Sequence, residues 1–343
     1  MQFNEQEDPS TETPLPVVLP QPESTESALP LTNESHTDES RTNESQTNES
    51  TLQVAPRGIA PVWHTLVLVV GILAFSIWGA IGAKSGTSNP FAPVQNSTTA
   101  SAHGTNSVRL IRYGLTGALE LAVVAWVALG LRLRKVPFRS LFGKWPRGLN
   151  DVTKEAAIAA AFWICSIIIL ASVALTWNAV STQIYKHQSA TQSSPPSAPQ
   201  SKSTSAQTKS PQENQVEMAR QLMELAPANG IEIAAWGILC LIVGFSEELI
   251  FRGYLQSQSI ALLRNVPVGL IVTALVFGAA HGYQGARGVV LISVYGALFG
   301  CITLLRKNLF PGMLAHSWHD FATGMLLAFL RTTHLLDHLP MPR

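Results

Sequence analysis

Apolar residues fall along the chain in seven runs, at roughly 60–83, 113–131, 156–177, 231–250, 267–281, 288–305 and 309–330. A bilayer core of about 30 Å takes about 20 helical residues to cross, so the runs read as membrane-spanning helices, the fifth and sixth being short. Two polar stretches interrupt them. Residues 1–56 are built of Thr, Glu, Ser, Pro and Asn, with an imperfect five-residue repeat from Thr32 to Thr51, and residues 178–229 begin with a Ser-, Gln-, Thr- and Pro-rich stretch. Such segments bury too little apolar surface to offset the entropy of ordering them. The pattern therefore predicts an all-α, polytopic transmembrane bundle of about seven spans. Its parts are a disordered tail (1–56), a three-helix leader (57–177), a low-complexity loop without fixed structure (178–229), a four-helix core (230–330) and a short carboxy-terminal tail (331–343).

Composition supports the membrane reading, since only 13% of the residues are charged against about 25% in an ordinary soluble domain. A plain soluble globular protein is excluded. The formal net charge of +1 hides an asymmetry, because residues 1–56 hold 11 of the 22 acids and only Arg41 among the bases. The basic charge lies mostly between the apolar runs. Arg132, Arg134, Lys135, Arg139, Lys144, Arg147 and Lys154 crowd the connection between the second and third runs, which assigns that connection to the cytoplasm. Alternation then puts the acidic tail, the loop near Arg264 and the loop at Arg306 and Lys307 on the same side. The Ser- and Gln-rich loop and the carboxyl terminus fall on the other.

No contiguous basic patch interleaved with aromatics is present, so nucleic acid is not an expected partner. The amino terminus lacks the basic start and apolar core of a signal peptide and reads as a retained tail. Cys165, Cys240 and Cys301 lie inside apolar runs and read as small buried hydrophobes. Asn33, Asn43, Asn48 and Asn96 sit in glycosylation sequons, which matter only if they reach a lumen.

Ionisable residues inside membrane spans are costly and point by default to a functional site. The last four runs carry three clusters. In Glu247-Glu248-Leu-Ile-Phe-Arg252, Glu248 and Arg252 stand four apart on one helical face, where they can pair, and Glu247 points about 100° away. The plainer alternative is an interfacial helix end. Phe277 and His281 stand one turn apart among small residues that let a neighbouring helix approach, and His281 has an interfacial or structural alternative. His316 and Asp320, again four apart, lie inside the seventh run in the segment His316-Ser-Trp-His319-Asp320. If the fourth helix continues past Arg252 and turns near Asn265 and Pro267, Glu247 and His281 stand about 27 and 23 Å from the turn at 1.5 Å per residue, nearly level on adjacent antiparallel helices.

The order EExxxR, FxxxH, HxxxD on successive apolar helices resembles the CPBP family of intramembrane proteases, which includes the CAAX-processing endopeptidases and bacterial proteins linked to bacteriocin maturation or immunity. The resemblance covers about residues 230–330. It implies peptide-bond hydrolysis within the plasma membrane of a bacterium, on a membrane-associated or lipidated polypeptide. In that scheme Glu247 and His281 activate a water, and His316 and Asp320 stabilise the oxyanion. Glu248, Arg252 and Phe277 support them. A desolvated carboxylate is a competent general base, and fixed donors aimed at the tetrahedral oxygen lower the barrier.

Asp320 departs from the Asn that many members carry, and an ionised carboxylate only accepts hydrogen bonds; Asp320 is therefore either neutral or an orienting group for His316. No cofactor is favoured. Zinc held by Glu247, His281 and His316 is the alternative, since these are ligand types of catalytic zinc sites, although the HExxH signature is missing. Two rival functions stand beside the protease. One is a non-catalytic scaffold or immunity-type protein that retains the fold, and the other is a proton-coupled transporter, which the lack of an internal repeat disfavours.

Other polar positions receive plainer readings. Glu120 in the second run is expected to pair structurally or to line a cavity. His334, Asp337 and His338 have ligand-like spacing but fall in a solvated tail. Trp63, Trp78, Trp145 and Trp177 suit the membrane interface. Gly296 and Gly300 form a close-packing GxxxG in the sixth run.

Overall fold

Each apolar run forms helix. The computed structural model describes residues 58–85, 102–192 and 210–333, all within one compact unit, Val54–Arg343. The acidic tail with its repeat and sequons, Asn96, and the trio His334, Asp337 and His338 lie outside the described residues. The helices are α1 (Val62–Ser85), α2 (Ala102–Leu133), α3 (Leu149–Gln192), α4 (Pro211–Met223), α5 (Gly230–Glu247), α6 (Ser257–Leu263), α7 (Val266–Ala280), α8 (Gly285–Arg306) and α9 (Phe310–Thr332). A π-helical segment, Glu248–Gln256, joins α5 to α6. Among the described residues there is no strand, only an isolated bridge between Gly143 and Asn308.

Five of these helical stretches are long and apolar enough to cross a membrane: Val62–Ile81, Val108–Leu133, Leu149–Ser189, Gly230–Leu263 and Gly282–Arg306. The sixth run is thus long enough after all. The fifth is α7, at 15 residues, and the seventh is α9, whose apolar character His316, His319 and Asp320 interrupt. The bundle is dressed in apolar side chains on its outside. Leu66, Val70, Ile77, Ile164, Ile168, Leu175 and Leu241 are all exposed, as helices solvated by lipid rather than water require. Cys165 and Cys301 are likewise exposed and only Cys240 is buried, which corrects the reading of all three as core residues.

The segment expected to lack structure is partly helical. α3 continues to Gln192, and hydroxyls along it bond back to the helix backbone, Ser172 to Ile168 O and Thr176 to Ser172 O, each at 2.9 Å, and Ser181 to Asn178 O at 3.2 Å. At about 1.5 Å per residue, 44 residues reach about 66 Å, well past a bilayer core. α4 starts at a complete capping box, in which Ser210 Oγ accepts from Glu213 N and the Glu213 carboxylate accepts from Ser210 N. Gln215 then donates to Asn178 Oδ1 at 3.0 Å and binds α4 to the α3 extension.

Polar contacts also fix which connections share an end of the bundle. Lys144 N donates to Lys307 O at 2.9 Å and Leu309 N to Phe142 O at 3.2 Å, so the two basic loops lie together, as their charge predicts. At the other end of α9, Arg331 donates to the carbonyls of Met223, Ala226 and Pro227.

α7 packs along α8, and α5 packs between α2 and α9. Two glycines make these approaches close enough to assemble a site. A Cβ on Gly244 of α5 would lie 2.8 Å from Ser317 N and 3.0 Å from Met313 O of α9, and one on Gly296 would lie 2.9 Å from Phe277 Cδ1. The turn between α6 and α7 forms where expected, with Arg264 in the left-handed region (φ 53°), Asn265 capping Val268 N at 3.0 Å and Pro267 in the first turn of α7.

Candidate active site

The α5–π junction brings two consecutive glutamates against α9. Glu248 is sealed, and its Oε1 accepts from Arg252 at 2.8 Å and from His316 Nδ1 at 3.0 Å. The expected i,i+4 pair therefore exists, within a π-helical segment. Such segments, with i→i+5 bonding, recur at functional sites. Arg252 is held on three sides, donating to Gly296 O at 3.3 Å and lying 4.2 Å from the ring centroid of Phe277 and 5.2 Å from that of Phe299. Cations favour aromatic faces most when desolvated.

Nδ1 of His316 faces an acceptor-only carboxylate, so that nitrogen carries a proton. Its Nε2 looks the other way, between Glu247 Oε2 at 3.5 Å and Asp320 Oδ2 at 3.8 Å. Neither separation is a good hydrogen bond. Exposure divides the acids, since the Glu248 side chain is 0% exposed whereas Glu247 is 13% and Asp320 27% exposed. Glu247 and Asp320 reach the mouth of the site; Glu248 does not.

His281 closes α7. Its Nδ1 lies 2.9 Å from Phe277 O, and a carbonyl can only accept, so Nδ1 carries the proton and a neutral ring presents Nε2 as an acceptor. A residue of α1 holds this turn in place. Ser76 Oγ donates to Ala279 O at 2.7 Å and accepts from Gly282 N at 3.0 Å.

Among the described residues, no hydrogen bond or ion pair joins His281 to Glu247. Phe277 mediates, its ring 5.1 Å from that of His281 and 6.2 Å from that of His316. The seven positions singled out in the sequence thus form one neighbourhood, six of them around Arg252 and His316 and His281 across the Phe277 ring. Glu120 joins it from α2. It has no ion pair among the described residues, so the expected structural pairing is not seen, and its charged neighbours are Glu247, His316 and Asp320. Ser76 carried no sequence signal, being one hydroxyl among many in polar–apolar helices.

No group of three or more His, Cys, Asp or Glu among the described residues is placed to hold a metal ion. His281 stands across the Phe277 ring from His316 and shares no hydrogen bond or ion pair with Glu247 among the described residues. As placed, Glu247, His281 and His316 are not gathered into one ligand set for zinc.

Acids, imidazoles and one arginine gathered inside an apolar helical bundle mark a candidate functional site. The sequence comparison supplies the family: residues 229–322, spanning α5 to α9, match the family of Type II CAAX prenyl endopeptidase Rce1-like proteins. This agrees with the resemblance carried by the three motifs, and the five long apolar helices fit an integral membrane protein. The match covers just over a quarter of the chain. No curated protein and no solved structure matches it.

Proposed function

We propose that this protein is an intramembrane endopeptidase that hydrolyses a peptide bond of a membrane-associated, lipidated polypeptide through a water activated by Glu247. The observation that carries the reading is the division of labour between adjacent glutamates: Glu248 is sealed against Arg252 and His316, and Glu247 stands at the mouth, 3.5 Å from His316 Nε2. Only the second can meet a water and a substrate.

In the proposed reaction the Glu247 carboxylate takes a proton from the water as its oxygen attacks the scissile carbonyl carbon. The lone pair on His281 Nε2 accepts a hydrogen bond from the same water and orients it. With His316 Nδ1–H committed to Glu248, a proton on Nε2 points toward the substrate oxygen, and Asp320 keeps that proton on the ring. The tetrahedral oxygen forms opposite this donor, in a site where preorganised dipoles are most effective. Collapse breaks the C–N bond, and Glu247 returns its proton to the departing amine nitrogen. No step passes through a metal ion.

The test is cleavage of a farnesylated carboxy-terminal peptide and of a mixed membrane-peptide library by purified protein, with and without chelation, against Glu247→Gln. Removing a general base is expected to lower kcat by about 10²–10⁴-fold, with chelation harmless. Loss on chelation with recovery on adding zinc would transfer Glu247, His281 and His316 to ligand roles. Full activity of Glu247→Gln would reject the mechanism, and no cleavage by the folded wild type would favour a non-catalytic scaffold.

A further inference from the structure

We propose that the hydroxyl of Tyr295, on α8, is a further catalytic donor that hydrogen-bonds the substrate carbonyl oxygen as it becomes the oxyanion. The inference rests on the endopeptidase reading and deepens it.

Tyr295 is 5% exposed, and its hydroxyl has no hydrogen-bond partner among the described residues. A buried tyrosine hydroxyl normally finds one, so an orphan O–H indicates a bond made to something else. The surroundings say what that is. The Tyr295 ring lies 4.8 Å from that of His319 and 6.2 Å from that of His316, beside the Gly296 carbonyl that meets Arg252. The hydroxyl therefore belongs to the site and not to the lipid face.

α8 is anchored without it. The carbonyl of the next residue, Gly296, accepts from Arg252, and the ring itself packs 4.5 Å from Phe299. The oxygen contributes nothing visible to this packing.

The chemistry of the site calls for such a donor. Asp320 occupies the position at which an asparagine would offer an N–H, and an ionised carboxylate offers none. His316 alone then faces the developing negative charge. A neutral phenol supplies a second donor with no added charge in a site already rich in acids, and tyrosine hydroxyls are established oxyanion donors.

Tyr295→Phe tests this, because it keeps the ring and removes one oxygen. With the farnesylated peptide, kcat is expected to fall about 10²-fold, the loss typical of one oxyanion donor, with KM little changed. The unfolding temperature in detergent should hold or rise, since no internal bond is lost.

A second arm repeats the change in an Asp320→Asn background, where the new amide donor should shrink the penalty. That non-additivity is the signature of two groups serving one oxygen, and a structural role would not produce it. Full kcat in Tyr295→Phe with an active wild type overturns the inference and leaves the endopeptidase reading intact. A lowered unfolding temperature overturns it through a structural role. A folded but inactive wild type removes the reading and the inference together.

Discussion

Two charge clusters, one where Arg331 near the end of α9 meets the α4–α5 connection and one around Arg252 and His316, are built in opposite ways. In the first, Arg331 donates three bonds to the carbonyls of Met223, Ala226 and Pro227, at 3.1, 2.8 and 2.7 Å. Beside it Glu232 Oε2 accepts from Arg109 at 2.9 Å and from Ala228 N at 2.7 Å, and Tyr113 donates to Leu225 O at 2.6 Å. One oxygen, Glu232 Oε1, lacks a bond; otherwise opposite charges and carbonyls are matched at hydrogen-bond distance. In the second cluster, Glu247, Glu248 and Asp320 crowd one imidazole and one arginine, with Glu120 in electrostatic reach. Distances of 3.5 and 3.8 Å remain open at Nε2, and Glu248 Oε2 and Tyr295 Oη are unpartnered. Saturated polar contacts fasten a fold, whereas unsaturated ones in a membrane cost stability and are kept where a substrate completes them.

The sharpest way to break this contrast is Glu247→Gln. Unlike the charges of the Arg331 clasp, Glu247 is held by no short bond, so its amide variant should keep the wild-type unfolding temperature while losing about 10²–10⁴-fold in kcat. Equal damage to stability and activity, read by thermal unfolding in detergent beside the cleavage assay, would make Glu247 another fastening group.

The second variant acts on the one part of the site that is itself matched. Arg252→Leu removes the guanidinium from the buried Glu248 and leaves it His316 as its hydrogen-bond partner among the described residues. Breaking a buried pair in this way costs about 3–5 kcal/mol, so both the unfolding temperature and activity should fall. Glu248→Gln together with Arg252→Leu should recover part of the stability, and a stable Arg252→Leu protein would show that His316 alone suffices to hold Glu248.

That pair was legible in the sequence, because i,i+4 spacing on one helix needs no tertiary information. So was the turn at Asn265 and Pro267, where capping and proline chemistry are local. The approach of His316 to Glu248 was not, since nothing in the two motifs measures the separation of α5 and α9; Gly244 and Ser317 set it. The depth argument set His281 level with Glu247, but did not foresee the Phe277 ring between His281 and His316. α4 was concealed differently. Its signal, Ser210-Pro211-Gln212-Glu213, is a capping box in plain sight, submerged in a polar stretch whose average composition suggested a loop. Ser76, Glu120 and Tyr295 become site residues only through packing, from α1, α2 and α8.

A third, smaller effect is expected on the other side of the comparison. Arg331→Ala removes donors from three carbonyls, of which Met223 O keeps a bond from Ala226 N, and a buried group left unsatisfied costs about 1–3 kcal/mol. The unfolding temperature should drop, with kcat at low temperature unchanged. A selective loss of kcat would show that the clasp feeds the site, and the two clusters would then be one system.

The smallest effect should come from Ser76, which shares features of both clusters. Its hydroxyl is saturated like the clasp, with one bond donated to Ala279 O and one accepted from Gly282 N, yet what it fastens is the turn that carries His281. Ser76→Ala removes two neutral bonds, each typically worth about 0.5–1.5 kcal/mol net, so stability should fall modestly. If the turn also aims His281 at the attacking water, kcat should fall several-fold beyond what the unfolded fraction explains, with KM unchanged. Small displacements of a positioned group are costly in rate, and Ser76→Thr, which keeps the hydroxyl, should restore kcat ahead of stability. Loss of stability alone, with kcat per folded molecule at the wild-type value, would confine Ser76 to fastening and leave His281 positioned by Phe277 O.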